Sequence, residues 1–178
     1  MSQHVTKENI ILIGFMGTGK STIARILHRL YGFEILEMDE TIEEREQMPI
    51  SRIFETKGEE YFRELETNLL IEIQQRSGVV VSCGGGVPMR ERNVAEMKKN
   101  GTVFLLTASP ETIYNRVKNS HTRPLLEDNK TVAHIAQLME QRREKYEAAA
   151  DVMICVDHKT GKEIANEILA YLSEKEGE

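Results

Sequence analysis

Eight consecutive residues, Gly14-Phe15-Met16-Gly17-Thr18-Gly19-Lys20-Ser21, fit the spacing G-x-x-x-x-G-K-[ST]. Its glycines allow a tight turn whose successive backbone N–H groups converge on an anion. A helix that starts there adds the positive end of its dipole. Lys20 can reach the β- and γ-phosphates of a nucleotide, and the Ser21 hydroxyl can ligate Mg²⁺ directly. Gly17, Thr18, Gly19, Lys20, Ser21 and Thr22 are therefore candidate phosphate-binding residues. The loop alone does not say what receives the phosphate.

Candidates for the acceptor side lie further along. Glu37 and Asp39 are two carboxylates two residues apart, just after an apolar run. One could support a metal while the other holds and deprotonates an acceptor hydroxyl; the structural alternative for Asp39 is a helix cap. Arg63 and Glu66 are three apart in a helical pattern. They are either a helical ion pair or an arginine offering its planar fork to a substrate carboxylate. Gly84-Gly85-Gly86 invites close backbone approach, or is a flexible turn. The stretch from Arg116 to Leu126 has three Lys or Arg and no acid, which suits a lid closing on phosphate. Arg142 and Arg143 follow, and at least one of them belongs to a solvated basic face.

These residues need a scaffold, and the pattern supplies one. Asn9 to Gly14 is apolar at nearly every position, the mark of a strand buried on both faces. Strands are expected also at Phe33–Leu36, Val79–Cys83, Thr102–Leu106 and Val152–Val156. Helices are expected at Lys20–Tyr31 (apolar face Ile23, Ile26, Leu27, Leu30), Asp39–Gln47, a short one capped by Ser51 and ending at Lys57, and Glu59–Gln75. Others follow at Arg90–Lys99, from Ser109-Pro110 as cap and first turn to Val117, at Lys130–Ala149 and at Thr160–Leu172. Strands alternating with helices mean an α/β fold with a parallel sheet. Both ends, Met1–Glu8 and Glu174–Glu178, are expected to fray.

Composition bounds the function. The chain has 178 residues, 40% hydrophobic and 29% charged, with a net charge of −6. One domain, residues 1–178, is expected. An acidic chain argues against a nucleic-acid partner, and no apolar run is long enough to span a membrane. Two cysteines, Cys83 and Cys155, lie in apolar runs and are read as reduced core thiols of a cytoplasmic protein. Glu37 to Glu66 holds 11 acids and four bases, so this segment is −7 and the remainder +1. A signalling GTPase is disfavoured, because Asn129-Lys130-Thr131-Val132 has Val where a base-reading aspartate would stand. What remains is a small kinase for a metabolite or a nucleotide.

Taken in order, GFMGTGKS, EMDETIEE, IFETKGEEYFRELE, SCGGG, TRPLL and LMEQRREKY resemble the shikimate kinase family, from about Ile10 to Leu172. The resemblance implies a three-layer P-loop fold of the nucleoside monophosphate kinase-like superfamily. Its five-stranded parallel sheet would run in the order 2-3-1-4-5. The family's activity is ATP-dependent phosphorylation of the shikimate 3-hydroxyl, on the route to chorismate and aromatic amino acids, usually by a monomer. It implies an acceptor-binding segment at about 37–66 and a lid at about 116–129. It matches Asp39 to the base that contacts shikimate hydroxyls, and Arg63 and Arg142 to arginines gripping the carboxylate. Glu66 would orient one of those arginines. Gly84, Gly85 and Gly86 would form the turn at the substrate, and Phe54 and Phe62 the apolar walls. Arg123 would reach the transferring phosphate, and Arg116 would pack on adenine. The family usually has Asp-x-Asp where this chain has Glu37-Met38-Asp39, so Glu37 would support Mg²⁺ through water with altered geometry. Two rivals are another small-metabolite or nucleoside monophosphate kinase on the same scaffold, and a non-catalytic module that keeps the fold.

Overall fold

The computed structural model describes residues 6–119 and 130–178. Arg123, the TRPLL motif and most of the expected lid lie outside the described residues. Five parallel strands form one sheet in the order β2-β3-β1-β4-β5. They are β1 (Asn9–Ile13), β2 (Glu34–Glu37), β3 (Val79–Ser82), β4 (Gly101–Thr107) and β5 (Val152–Cys155). Strand β1 sits at the centre and is buried at every position. It pairs Ile11 with Val81 of β3 on one side and with Val103 of β4 on the other. The inner strands β1 and β3 are buried on both faces, which is why they are apolar nearly throughout, whereas the edge strands β2 and β5 are partly exposed.

Helices α1 (Lys20–Tyr31), α2 (Met38–Glu46), α3 (Ile50–Lys57), α4 (Glu59–Ile73), α5 (Glu91–Lys99), α6 (Pro110–Val117), α7 (Val132–Ala149) and α8 (Gly161–Glu176) pack around the sheet. A single 3₁₀ turn spans Val87–Met89. Helix α1 ends at Gly32, whose positive φ of 78° lets its N–H bond to His28 O. Ser109 caps α6 through its hydroxyl, as its pairing with Pro110 predicts.

Four expectations need correction. Ser51 does not cap α3: the Glu43 carboxylate, on the preceding helix, accepts the Ile50 N–H at 2.9 Å instead. Leu30 is not part of the buried face of α1 and is 42% exposed. Periodicity identifies a helix face, but not how far along the helix its neighbours reach. Cys155 is exposed while Cys83 is buried. Strand β5 is an edge, so alternate side chains, Met153 and Cys155, face out. The C-terminus does not fray at Glu174, because α8 continues to Glu176. Lys175 there donates to Glu8 at 2.6 Å, joining the two ends of the described chain. No helix among the described residues is long and apolar enough to cross a membrane.

The topology concentrates polar groups at one edge. The loops after β1 and β3, the start of α2 after β2, and the loop after β5 all sit at the carboxyl ends of the strands. Ligands of open parallel sheets bind there.

Candidate active site

A cleft of about 500 Å³ opens at this edge. One wall is the glycine loop between β1 and α1. Gly14, Gly17 and Gly19 have φ of 150°, 82° and 98°, a backbone that other residues rarely adopt. At Gly14 a Cβ would also stand 2.5 Å from the Leu106 carbonyl oxygen, so the loop is tied to β4 by contact as well. Thr18 donates its hydroxyl proton to Phe15 O at 2.8 Å. Lys20 folds back on the loop, donating to the carbonyls of Gly14 at 2.7 Å and Phe15 at 3.2 Å. The guanidinium of Arg116, on α6, donates to Gly17 O at 2.9 Å. Thr22 also lines the cleft. Lys159 and Gly161, from the loop and helix start after β5, complete this side.

The floor is made by strand ends. The Ser21 hydroxyl donates to Glu37 Oε2 at 3.0 Å and lies 3.5 Å from the Ser82 hydroxyl. The second oxygen of Glu37 is buried and has no hydrogen-bond partner among the described residues. A buried carboxylate oxygen left this way is a costly arrangement unless something else reaches it. Hydroxyl, carboxylate oxygen and phosphate oxygens together are the hard donor set that Mg²⁺ takes. The residues present therefore fit a Mg²⁺ site with Glu37 in place of the shorter aspartate. No cluster of three or more His, Cys, Asp or Glu residues suited to a metal occurs among the described residues. Any such ion would thus depend on phosphate and water for most of its ligands.

Asp39 does not cap α2. Glu37 occupies the cap position, and Asp39 sits in the first helical turn with its carboxylate open to the cleft. The protein around it removes part of its hydration and pushes its pKa up. Lys20 opposes that rise, while Glu43 and Glu37 add to it. A carboxylate made more basic, yet held near a lysine, suits a group that must take a proton from a hydroxyl.

The opposite wall is built round Gly84-Gly85-Gly86. None of the three is left-handed, so their purpose is not unusual backbone geometry. They are small because side chains crowd them. A Cβ on Gly84 would stand 2.9 Å from the Asp39 carboxylate, and one on Gly85 3.4 Å from the Arg142 guanidinium. On Gly86 it would stand 2.5 Å from that of Arg63. Gly84 clears space for Asp39 and Gly86 for Arg63, while at Gly85 a Cβ would only touch Arg142. Arg63 itself is held twice, to Glu66 at 2.7 Å and to Glu59 at 3.4 Å. Its guanidinium also lies 5.3 Å from the centre of the Phe62 ring. Phe62 packs against Phe54 with ring centres 5.0 Å apart. Glu66 is buried, and burial drives its carboxyl up to about 7 although the Arg63 charge beside it pulls the other way. Helical ion pair and substrate fork are thus compatible readings of Arg63, since its pairing to Glu66 aims it at the glycine turn.

Gly17 to Thr22, Glu37, Asp39, Gly84, Gly85 and Arg116 line the cleft; Arg63 and Arg142 lie against the glycine turn behind it, and Phe62 and Phe54 pack beyond Arg63. Arg143 stands apart: it pairs with Glu140 at 2.6 Å on an exposed face, as a solvated basic residue would. Three neighbours of the site escaped sequence reasoning. Ser82 is a lone hydroxyl at the end of an apolar strand, a signal that was available. Tyr146 follows Arg142 by one helical turn. Lys159 lies in a loop with no motif.

Fold and cleft together define a small P-loop kinase. Residues 16–173 match the family model described as shikimate kinase. A shikimate kinase of Sulfurihydrogenibium is 43% identical over 168 residues, covering 94% of this chain and 99% of its own. That of Persephonella marina is 42% identical over 164 residues, covering 92% and 98%. Among solved structures, shikimate kinase from Acinetobacter baumannii in complex with shikimate superposes with a TM-score of 0.86. It is 32% identical, with 94% of each chain covered. The shikimate kinase of Aquifex aeolicus gives 0.77 at 34% identity, covering 94% and 97%. A gluconokinase from Sinorhizobium meliloti, 20% identical with a TM-score of 0.60, shares the fold alone. The chain belongs to the shikimate kinase family.

Proposed function

We propose that this chain transfers the γ-phosphoryl group of ATP to the 3-hydroxyl of shikimate, giving shikimate 3-phosphate and ADP on the route to chorismate. The observation that carries this reading is the grouping of Asp39, Arg63 and Arg142 around one glycine turn, facing a phosphate loop. A base and two arginines at that spot suit an acceptor with both hydroxyls and a carboxylate. Two arginines would grip a nucleotide phosphate as readily as a carboxylate, and the match to the shikimate kinase family is what favours the carboxylate.

The roles follow from the geometry. The N–H groups of Gly17 to Thr22 cradle the phosphates, with Lys20 released from the Gly14 and Phe15 carbonyls to reach them. Arg116 packs at the adenine side. Arg63 and Arg142 hold the acceptor carboxylate, with Phe54 and Phe62 behind. Asp39 orients the hydroxyl and receives its proton as the oxygen attacks phosphorus in line. Ser21 would ligate Mg²⁺, and Glu37 would hold it through water. An ion held there would supply neutralisation of the phosphate charge. Arg123 and the lid at about 116–129 would close over the transferring group and keep water out. We place the chain in the cytoplasm as a monomer and a single domain. Two unpaired cysteines support the compartment. Among the described residues the exposed large apolar side chains are four scattered ones, Leu30, Tyr61, Ile71 and Met153, which supports the monomer.

A coupled ADP-release assay with Mg-ATP and shikimate tests the reading, with gluconate and nucleoside monophosphates as competing acceptors. Turnover is expected with shikimate alone. Turnover with another acceptor and none with shikimate would replace the proposal with a different kinase on this scaffold. No turnover with any acceptor would favour a non-catalytic module.

A further inference from the structure

Arg63 and Arg142 face the same turn but are held by different chemistry. Arg63 leans on two carboxylates. Arg142, among the described residues, pairs with no acid. Its polar neighbour is Tyr146, one turn later on α7, whose hydroxyl lies 3.5 Å from Arg142 Nη1. That same hydroxyl donates to the Gly85 carbonyl at 2.7 Å.

A phenol has one proton and two lone pairs. The proton goes to Gly85, which leaves a lone pair for Arg142. Donating in one direction also polarises the oxygen, making it a better acceptor in the other. The Tyr146 ring is only 5% exposed, so packing limits where the hydroxyl can move. Burial raises the phenol's pKa while Arg142 opposes that rise, so the group stays protonated and keeps its donor. A neutral hydroxyl also leaves the arginine's charge uncompensated. It occupies at most one of the five N–H groups, and the fork remains available for a bidentate carboxylate.

We propose that Tyr146 is a positioning residue of the acceptor site: its hydroxyl links the Gly85 carbonyl to the Arg142 guanidinium and aims Arg142 at the acceptor carboxylate without neutralising it. This rests on the reading that Arg142 grips that carboxylate. The division of labour is then specific. Glu66 and Glu59 hold Arg63 firmly but share its charge, whereas Tyr146 holds Arg142 loosely and leaves its charge whole.

Tyr146→Phe deletes the hydroxyl and keeps the ring. It is expected to raise KM for shikimate about five- to twentyfold, with KM for ATP changed less than about twofold. In an Arg142→Ala background the same substitution should add less than about twofold, because the hydroxyl would have nothing left to aim. Equal effects in both backgrounds, or an unchanged KM for shikimate, would overturn the proposal. A parallel rise in both KM values with a lowered Tm would mean a packing role instead, and would overturn it too. A second readout needs no substrate. The ¹⁵N signals of the Arg142 guanidinium should show restricted rotation in the native chain and free rotation in Tyr146→Phe. Identical signals would refute the link even if the acceptor proved not to be shikimate. Failure of the acceptor assignment shows separately, as native enzyme without shikimate turnover.

Discussion

The proposed nucleotide wall of the cleft is held by backbone, and the proposed acceptor wall by side chains. Lys20, Thr18 and Arg116 all bond to carbonyls of the glycine loop itself. On the facing wall Arg63 depends on Glu66 and Glu59, and Arg142 on Tyr146. The first arrangement is mostly local: Lys20, Thr18 and their carbonyl partners lie within eight consecutive residues, and only Arg116 arrives from elsewhere, on α6. In the second, supports come from α4, α7 and the turn after β3, which meet only in the folded chain. The charges also differ. The acidic segment from Glu37 to Glu66 carries −7, yet the proposed acceptor is an anion. Binding there must come from discrete arginine contacts rather than from a broad attractive field. The acceptor wall should therefore be the more easily broken by single substitutions, and broken selectively.

The largest effect expected is on chemistry. Asp39→Asn should lower kcat by about 10²–10⁴-fold, the usual worth of a positioned base, with KM for ATP changed less than about threefold. An unchanged kcat in steady-state assays would remove Asp39 from the mechanism. Next, Arg63→Ala should raise KM for shikimate roughly 10²-fold, in line with losing one partner of a desolvated charge pair. Gly86→Ala should give about tenfold through the same arginine, because its Cβ needs the space Arg63 occupies. If either variant weakened ATP binding equally, the two walls would not be separable.

A third test reads pH. The folded-state pKa of Glu66 is raised from the ordinary 4.5 to about 7. The folded chain therefore holds this proton more tightly than the unfolded one. The contribution is fully present below about pH 4.5, is lost as pH rises toward 7, and is constant above that. Melting temperatures measured from pH 5 to 8 should fall with rising pH, and Glu66→Gln should flatten most of that slope. A slope unaltered by the substitution would place the titration elsewhere. Smaller still is the effect of Glu37. Glu37→Gln should raise the Mg²⁺ concentration for half-maximal activity about tenfold, and Glu37→Asp by less than about threefold. An equal effect of both would show that the carboxylate charge is not what matters. Arg143→Ala should be silent in KM and in Tm to within error, as exposed ion pairs usually are.

Much of this molecule was legible in its sequence. Strand β1 read as buried because it is apolar at nearly every position, and the sheet order followed from the family resemblance. The glycine loop announced phosphate because its function is a property of contiguous backbone. The triple glycine announced close approach, though not by what. Ser51 misled because a cap depends on which acceptor is nearest, and Glu43 arrives from another helix. Cys155 misled because an apolar run does not say whether a strand lies at the centre or edge of a sheet. Tyr146 gave little signal, since an aromatic on a helix is most often simple core.

The sequence by itself determined the fold class and the phosphate-loop motif, and it named the candidates for chemistry, because these rest on local spacing and on periodic burial. Only the tertiary structure decided how those residues are held: that Gly86 makes room for Arg63, that Glu66 is buried, and that Glu37 keeps a buried oxygen without a hydrogen-bond partner among the described residues. These are distances between elements far apart in the chain. Local propensity and spacing set the elements, but packing of side chains against one another sets the distances between them.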